Sequence, residues 1–268
     1  MGTLPHTLKR RLDTLLTERG LYETRSRAAA AVMAGDVRVG DRPARKPGEM
    51  VPDDAPVQVA ARQPFVSRGG VKLANALDEL GLDVSGRKAL DVGASTGGFT
   101  DCLLQRGAAS VIALDVAYGE FHWSLRQDPR VVVIERRNAR SLAPDELPCR
   151  PDLVVADVSF ISLTKVLPAV LRCAAERFDC LALVKPQFEV GRERLGRGGV
   201  VRSGEDRRAA LVAVAAAARS EMGAAVMGFA PSGLPGPAGN RESFAWLAEA
   251  GRPGEVDDLE EAARRAEP

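Results

Sequence analysis

Histidine is nearly missing from this chain of 268 residues, which has only two. The four cysteines, Cys102, Cys149, Cys173 and Cys180, are scattered without a CxxC pair. Together these absences argue against a zinc site or a disulfide framework, and no metal is expected. No apolar run approaches the ~20 residues of a membrane span. The start, MGTLPHTLKRRLDTLL, lacks the uninterrupted apolar stretch of a signal peptide. The expectation is a protein of the reducing cytoplasm, monomeric, with no membrane partner. Lysine is scarce too: six, against 31 arginines. Where any cation would serve, this chain uses arginine, so a well-placed lysine carries information, because an amine can lose a proton and a guanidinium cannot.

What is present is enough for a large domain plus a small one, with 45% hydrophobic residues to fill a core. Charge is balanced overall at +1 but not locally. Residues 1–46 carry ten basic and five acidic residues, whereas the last 18 carry six acidic and three basic. That asymmetry suggests an anion-seeking N-terminus and a solvated C-terminal helix.

The first 60 residues read as a small α+β domain. RLDTLLTERGL places Leu12, Leu15 and Leu16 on one helical face with Gly20 as the stop. TRSRAAAAVMAG is a second helix, with Ser26 as its N-cap and Gly35 at its end. DVRVGDRPARKPGEMV follows as a strand, a tight Gly40-Asp41 turn and a return segment, and PVQVAA closes the unit as a last strand. Residues 61–70, ARQPFVSRGG, read as a linker in which Phe65 is either a stacking platform or an ordinary packing residue. The second domain is expected over 71–268. There, strand candidates at 88–93, 110–116, 131–135, 151–158, 180–185, 224–230 and 242–249 alternate with helical segments, notably 164–177 and 205–221. This is the pattern of a doubly wound α/β parallel sheet. The last two candidates share only the loop SGLPGPAGN, which predicts an antiparallel pair.

The chemistry gathers at the predicted strand ends. ALDVGASTGGFTD is a strand, a small-residue loop and a helix, and Gly93, Gly97 and Gly98 would let the backbone approach a ligand. The dinucleotide pattern G-x-G-x-x-G is absent and no Walker lysine follows. The spacing of Gly93, Ala94, Ser95, Thr96, Gly97, Gly98 and Phe99 suits the amino-acid end of S-adenosylmethionine better than a pyrophosphate, although such a loop alone is equally the form of a tight strand–helix corner. Asp115 ends the next strand, 24 residues after Asp91, where a carboxylate can accept from both ribose hydroxyls. Asn138 and Ala139, after the third strand, are candidates for reading an adenine edge, or form a polar turn.

LALVKPQFEVGR raises the sharpest question. Leu181–Val184 is a buried-strand run, and Pro186 biases Lys185 toward extended geometry, fixing it at the strand's C-terminal edge where open α/β sheets place ligands. From that stretch alone, a surface cation is as good a reading as a functional amine. Asp157, at the end of the fourth strand in PDLVVADVSF, should lie beside it. Lys72 in SRGGVKLANAL and Glu242 in GNRESF could converge on the same face.

The order Lys72, Asp157, Lys185, Glu242 resembles the catalytic tetrad of FtsJ-type RNA ribose 2′-O-methyltransferases. DVGASTGGFTD, VVADVSFISL, LVKPQFE and GPAGNRE closely resemble the TlyA family of rRNA cytidine 2′-O-methyltransferases, historically labelled hemolysins. RLDTLLTERGLYETRSRAAAAVMAGDVRVGDR is similar to the RNA-binding module named after ribosomal protein S-four. The resemblance covers nearly the whole chain and leaves no tetrad position substituted. It implies a Rossmann-like class I methyltransferase fold of seven strands, mostly parallel with the last antiparallel. It further implies S-adenosylmethionine as cofactor, with S-adenosylhomocysteine as product, and ribosomal RNA or ribosomal subunits as partner. The full first helix favours the members that modify both subunits, 16S and 23S.

A ribose hydroxyl is a poor nucleophile near neutral pH and needs a general base. Free lysine titrates near ~10.4; a second ammonium and a dry pocket favour the neutral amine, while adjacent carboxylates oppose it. Lys185 is assigned as base on that balance, with Asp157 and Glu242 orienting the amines. Arg10, Arg11, Arg25, Arg27 and Arg45 would supply phosphate contacts, continued by Arg68 and Arg192. Three alternatives stand beside this reading. A methyltransferase acting on another RNA would share the same motifs. A base N-methyltransferase would carry [DN]-P-P-[YF] where this chain has DVSF. A membrane-active hemolysin would be supported by an amphipathic pore segment or an apolar span, and the sequence offers neither.

Overall fold

Leu12, Leu15 and Leu16 are fully buried, and around them folds the first of two units into which the chain divides, residues 1–62 and 63–268. The computed structural model describes residues 8–59 and 64–267, so the expected boundary at 60/61 lies outside the described residues. The first unit runs β1 (Lys9–Arg11), α1 (Leu12–Glu18), α2 (Arg25–Ala34), β2 (Val37–Val39), β3 (Arg42–Pro43), β4 (Met50–Pro52) and β5 (Val57–Val59). β1 pairs with β4, and β2 sits between β3 and β5, all antiparallel. Ala28, Val32, Val37, Val39 and Val51 complete the small core. Helix α2 is capped by the Thr24 hydroxyl, which accepts from the Arg27 amide, and Ser26 lies inside the first turn. The sequence offered two hydroxyl residues two positions apart, and the extended backbone needed at a cap falls on the earlier one. Gly35 closes the helix in the left-handed conformation, as expected.

The second unit comprises α3 (Arg68–Leu80), β6 (Lys88–Val92), α4 (Gly98–Gln105), β7 (Ser110–Leu114), α5 (Trp123–Arg126), β8 (Val131–Ile134), β9 (Leu153–Ala156), α6 (Leu167–Cys173), β10 (Asp179–Val184), α7 (Pro186–Glu189), α8 (Gly204–Met222), β11 (Ala225–Pro231), β12 (Ser243–Ala248) and α9 (Leu259–Ala266). Seven strands form one sheet in the order β11-β12-β10-β9-β6-β7-β8, and β12 alone runs opposite to the other six. All six residues of β10 are buried, which is why its sequence is almost continuously apolar. Its side chains alternate: Cys180, Ala182 and Val184 face one core, Leu181 and Leu183 the other. α3 presents Leu73, Ala76 and Leu77 at helical spacing to that second core and stops at Gly81. α8 starts at Ser203, whose hydroxyl accepts from the Asp206 amide, and ends at Gly223.

The expected linker does not run free to residue 70. Pro64 and Val66 are fastened to α4, through Gln105 to the Pro64 carbonyl and the Val66 amide to Asp101. Phe65 packs over Gly70 within the second unit. The four cysteines are all free, and burial pushes the thiols of Cys102 and Cys180 up to about 12, so neither is a nucleophile at neutral pH. Among the described residues no helix is long and apolar enough to cross a membrane.

Candidate active site

The sheet's register decides which side chains can meet. β6, β9 and β10 are parallel, so the residues after each, Gly93, Asp157 and Lys185, emerge at one edge. β12 runs the other way, with Ser243 opposite Val184, so the residue before it, Glu242, reaches that same edge. The fourth contributor comes from α3. Neither Gly70 nor Gly98 has room for a Cβ, which would press on Phe65 or on Ser67. This close approach lays the first turns of α3 and α4 together and sets Lys72 beside the loop after β6.

The four side chains form two ion pairs. Lys72 Nζ donates to Glu242 Oε2 at 2.5 Å, with side chains 8% and 1% exposed. Lys185 Nζ lies 2.5 Å from Asp157 Oδ1, at 11% and 23% exposure, and donates to Ser159 Oγ at 2.8 Å. The Lys185–Asp157 contact is close but not aligned as a hydrogen bond, so Oδ1 holds the amine by charge alone. Both lysines, Asp157 and Ser159 line a cleft of about 600 Å³, with Gly93, Ala94, Ser95, Thr96, Gly98, Phe99 and Arg68 on its other walls. Glu242 stands behind Lys72, outside that lining.

Asp91 is buried beneath the loop. Its Oδ2 accepts from the Thr100 amide at 2.9 Å and hydroxyl at 2.7 Å, while Oδ1 is buried without a partner. Burial pushes its carboxyl up to about 7, against the Thr100 hydrogen bonds and with help from the Asp157 charge. Asp115 accepts from the Ser95 amide at 2.6 Å and the Ala117 amide at 2.8 Å, which ties the loop to the end of β7. It lines a much smaller recess with Ala94, Ser95, Glu120, Phe121 and Glu135.

Residues 65–249 match the FtsJ-like methyltransferase family, and residues 10–56 match the S4 domain. The chain belongs to the FtsJ-like methyltransferases. It is 49% identical over 259 residues, 96% of each chain, to the 16S/23S rRNA (cytidine-2′-O)-methyltransferase TlyA of Mycobacterium tuberculosis. YqxC of Bacillus subtilis, named as a candidate rRNA methyltransferase, is 50% identical over 196 residues, 72% of this chain and 70% of its own. A solved structure from Streptococcus thermophilus, named as a candidate hemolysin, has a TM-score of 0.73 at 39% identity, covering 97% of this chain and 96% of that one. This FtsJ-like chain is an S-adenosylmethionine-dependent enzyme by family, with the small α+β unit as its S4 domain.

The cleft unites Lys72, Asp157 and Lys185 with Gly93, Ala94, Ser95, Thr96, Gly98 and Phe99. Gly97 points elsewhere. Its φ of +96° requires glycine, and a Cβ there would lie 2.5 Å from Leu125 Cδ1 and 2.9 Å from Phe121, on the apolar side of the loop. Asn138 and Ala139 line neither the cleft nor the recess. Asn138 caps a short 3₁₀ turn by accepting from the Arg140 amide, and Ala139 is buried in the core. Arg68 is exposed at the cleft rim, donating to the Pro235 carbonyl, and Arg192 is exposed after α7.

In the S4 domain, Arg10 pairs with Glu18 and Asp53, Arg27 with Glu23, and Arg25 lies 3.5 Å from Asp13. Arg11 clamps the buried Asp13 at 3.1 and 2.7 Å and holds its carboxyl down at about 2. Arg45 is exposed and, among the described residues, has no ion pair. Exposed pairs of this kind are worth little and can be exchanged for phosphate; the Arg11 clamp braces α1.

Sequence reasoning passed over one residue of the cleft lining, Ser159, and the exposed aromatic that follows it in the chain, Phe160. Ser159 stood inside the quoted VVADVSF stretch, but only the fold brings its hydroxyl to Lys185. Phe160 is 91% exposed with φ +64°, its ring 5.3 Å from Phe188. An aromatic residue three positions after a strand-end carboxylate was the available signal.

Proposed function

We propose that the protein transfers a methyl group from S-adenosylmethionine to the 2′-hydroxyl of a cytidine in ribosomal RNA, in the cytoplasm, with the S4 domain engaging the RNA backbone. The observation that carries the reading is the pair of lysine–carboxylate couples around one cleft, beside a glycine loop with a carboxylate below it. A cationic cofactor suits these residues: Asp157 is at the cleft wall, and the buried Oδ1 of Asp91 lacks a donor. Gly93–Thr96 and Gly98 would hold the cofactor's amino-acid end, and Asp115, with Glu135 near it, the ribose end. When bound, the cofactor supplies an electrophilic methyl group.

The chain's own residues then orient the acceptor. Lys185 takes the proton of the ribose hydroxyl, its amine fixed by Asp157 and Ser159. Lys72, anchored by Glu242, brings a second positive charge to the wall of the cleft, where it attracts the phosphate next to the target ribose. Phe160 offers a flat exposed face on which a base freed from its stack can rest. Much of the rate comes from holding hydroxyl and methyl group in line. Arg25, Arg27, Arg10 and Arg45 give salt-dependent affinity, and Arg68 and Arg192 extend it on the catalytic unit.

The test is methyl-acceptor mapping on isolated 30S and 50S subunits from a strain lacking the enzyme. Labelled 2′-O-methylcytidine in 16S or 23S rRNA is expected; label on a base nitrogen, or none on either RNA, refutes the reading.

A further inference from the structure

Asn240 is 1% exposed, and its side chain spans two loops. Its Oδ1 accepts from the Val201 amide at 2.8 Å and its Nδ2 donates to the Gly199 carbonyl at 3.0 Å. Its own carbonyl accepts from the Gly236 amide at 2.8 Å, closing the turn that carries Pro235 and Pro237 into the cleft wall. Two residues on is Glu242, whose Oε1 is buried without a partner and lies against Gly236, where a Cβ would not fit. The segment on the other side of Asn240, GRERLGRGGVVR, carries Arg192, Arg194, Arg197 and Arg202, all exposed, and is pinned by the buried Val201. Its tip folds on itself through the Gly196 amide to the Val200 carbonyl and the Gly199 amide to the Gly196 carbonyl.

An amide filling both hydrogen-bonding roles with backbone groups of another loop fixes that loop in distance and in orientation. Here the fastened loop is an arginine-rich surface, and the fastening residue belongs to the turn that holds Glu242 and so the amine of Lys72. We infer that Asn240 is a positioning residue coupling phosphate engagement on the 192–202 loop to the placement of Glu242 and Lys72. The inference rests on the reading of this cleft as an RNA 2′-O-methyltransferase site. The ligand of the loop is the phosphate backbone of the RNA substrate. The geometry gives Asn240 no contact with that substrate; it acts through the turn.

The experiment compares full-length wild type, Asn240→Ala, Asn240→Asp, Arg197→Ala and the Asn240→Ala/Arg197→Ala double variant. Single-turnover methylation of ribosomal subunits is measured, together with calorimetric affinity for S-adenosylmethionine and filter-binding affinity for the RNA. Asn240→Ala is expected to lower the rate at saturating RNA at least 10-fold, with cofactor affinity within about twofold of wild type. Asn240→Asp, which keeps the acceptor for Val201 but sets a buried carboxylate against the Gly199 carbonyl, should lose at least as much rate as Asn240→Ala. Arg197→Ala should lower both RNA affinity and saturating rate in the wild-type background, but only affinity once Asn240 is alanine. A wild-type saturating rate in Asn240→Ala, or equal effects of Arg197→Ala in both backgrounds, overturns the coupling. Loss of cofactor binding in both Asn240 variants overturns it too, assigning Asn240 to folding alone. Failure of wild type itself to methylate either subunit would instead sink the underlying functional reading.

Discussion

Replacing Lys185 with arginine separates a proton acceptor from a mere cation. The amine sits between Asp157 Oδ1 at 2.5 Å and Ser159 Oγ at 2.8 Å, with its side chain 11% exposed. Alanine at this position removes the base but also leaves the Asp157 carboxylate without its cation, so a loss there is ambiguous. Arginine keeps a positive charge beside Asp157 and can donate to Ser159, yet does not deprotonate in a protein. General-base catalysis is worth about 10²–10⁴ in rate, which is roughly 3–5 kcal/mol at about 1.36 kcal/mol per decade. The expected result is therefore a single-turnover rate on ribosomal subunits at least about 100-fold below wild type for Lys185→Arg. Lys185→Ala should be similar, with affinities for cofactor and RNA near wild type for the arginine variant. Ser159→Ala, which only loosens the amine, should cost about 10-fold, the scale of one hydrogen bond to a charged group. If Lys185→Arg keeps a tenth or more of the rate while Lys185→Ala is dead, the residue is an electrostatic anchor and the base lies elsewhere.

Four further outcomes follow from the geometry. Gly97→Val should unfold or destabilise the loop by steric conflict with Leu125 and Phe121, so its melting temperature falls along with cofactor binding; weakened binding at an unchanged melting temperature would mean that Gly97 faces the cofactor after all. Asp115→Ala should weaken cofactor binding by about 1.5–3 kcal/mol, measured by calorimetry, because the carboxylate both ties Ser95 and Ala117 and faces the recess; unchanged affinity would leave it a loop tie only. Reversing Arg25 and Arg27 to Glu should weaken RNA binding and make its salt dependence shallower by roughly one to two, and an unaltered slope would make these arginines ordinary surface charge. Asp91 titrates near 7 in the folded chain, above the ordinary carboxyl value of 3.8, so the native state binds the extra proton and stability falls as pH rises from about 4 to 7; denaturant unfolding should show Asp91→Asn gaining on wild type across that window, and a pH-independent gap would refute the burial argument.

The sheet was readable because its strands are short apolar runs separated by helical segments, and all seven predicted strands form it. The antiparallel pairing of β11 and β12 was readable from the loop between them, too short for a crossover. The β1–β4 ribbon was not. Its segments, KRR and MVP, are three residues each, and neither carries an apolar alternation that marks a strand. Asn138 was ambiguous for a related reason: an exposed polar residue after a strand suits ligand and turn alike, and here its oxygen accepts from the Arg140 amide. The facing of Gly97 depended on φ, which three small residues in a row do not reveal.

The tetrad's membership could be proposed from order and strand ends, but its pairing could not, and pairing distinguishes the two lysines. Register sets Glu242 with Lys72 and leaves Asp157 to Lys185. Were Lys72 to give up its charge, the Glu242 carboxylate would be stranded, 1% exposed and with Oε1 already unpartnered. Uncompensated buried charge of that kind costs about 3–5 kcal/mol. Were Lys185 to give up its charge, Asp157 would keep its opening to the cleft at 23% exposure, where water or a bound cation can compensate it. Under the proposed mechanism, this asymmetry assigns proton exchange to Lys185 and the fixed positive charge to Lys72. Glu242→Gln should therefore weaken stability as well as rate, because it leaves the Lys72 ammonium buried against a neutral amide. Asp157→Asn should lower the rate with little change in melting temperature. Equal thermal losses in the two variants would show that the two pairs are equivalent, and the division of labour between the lysines would fall.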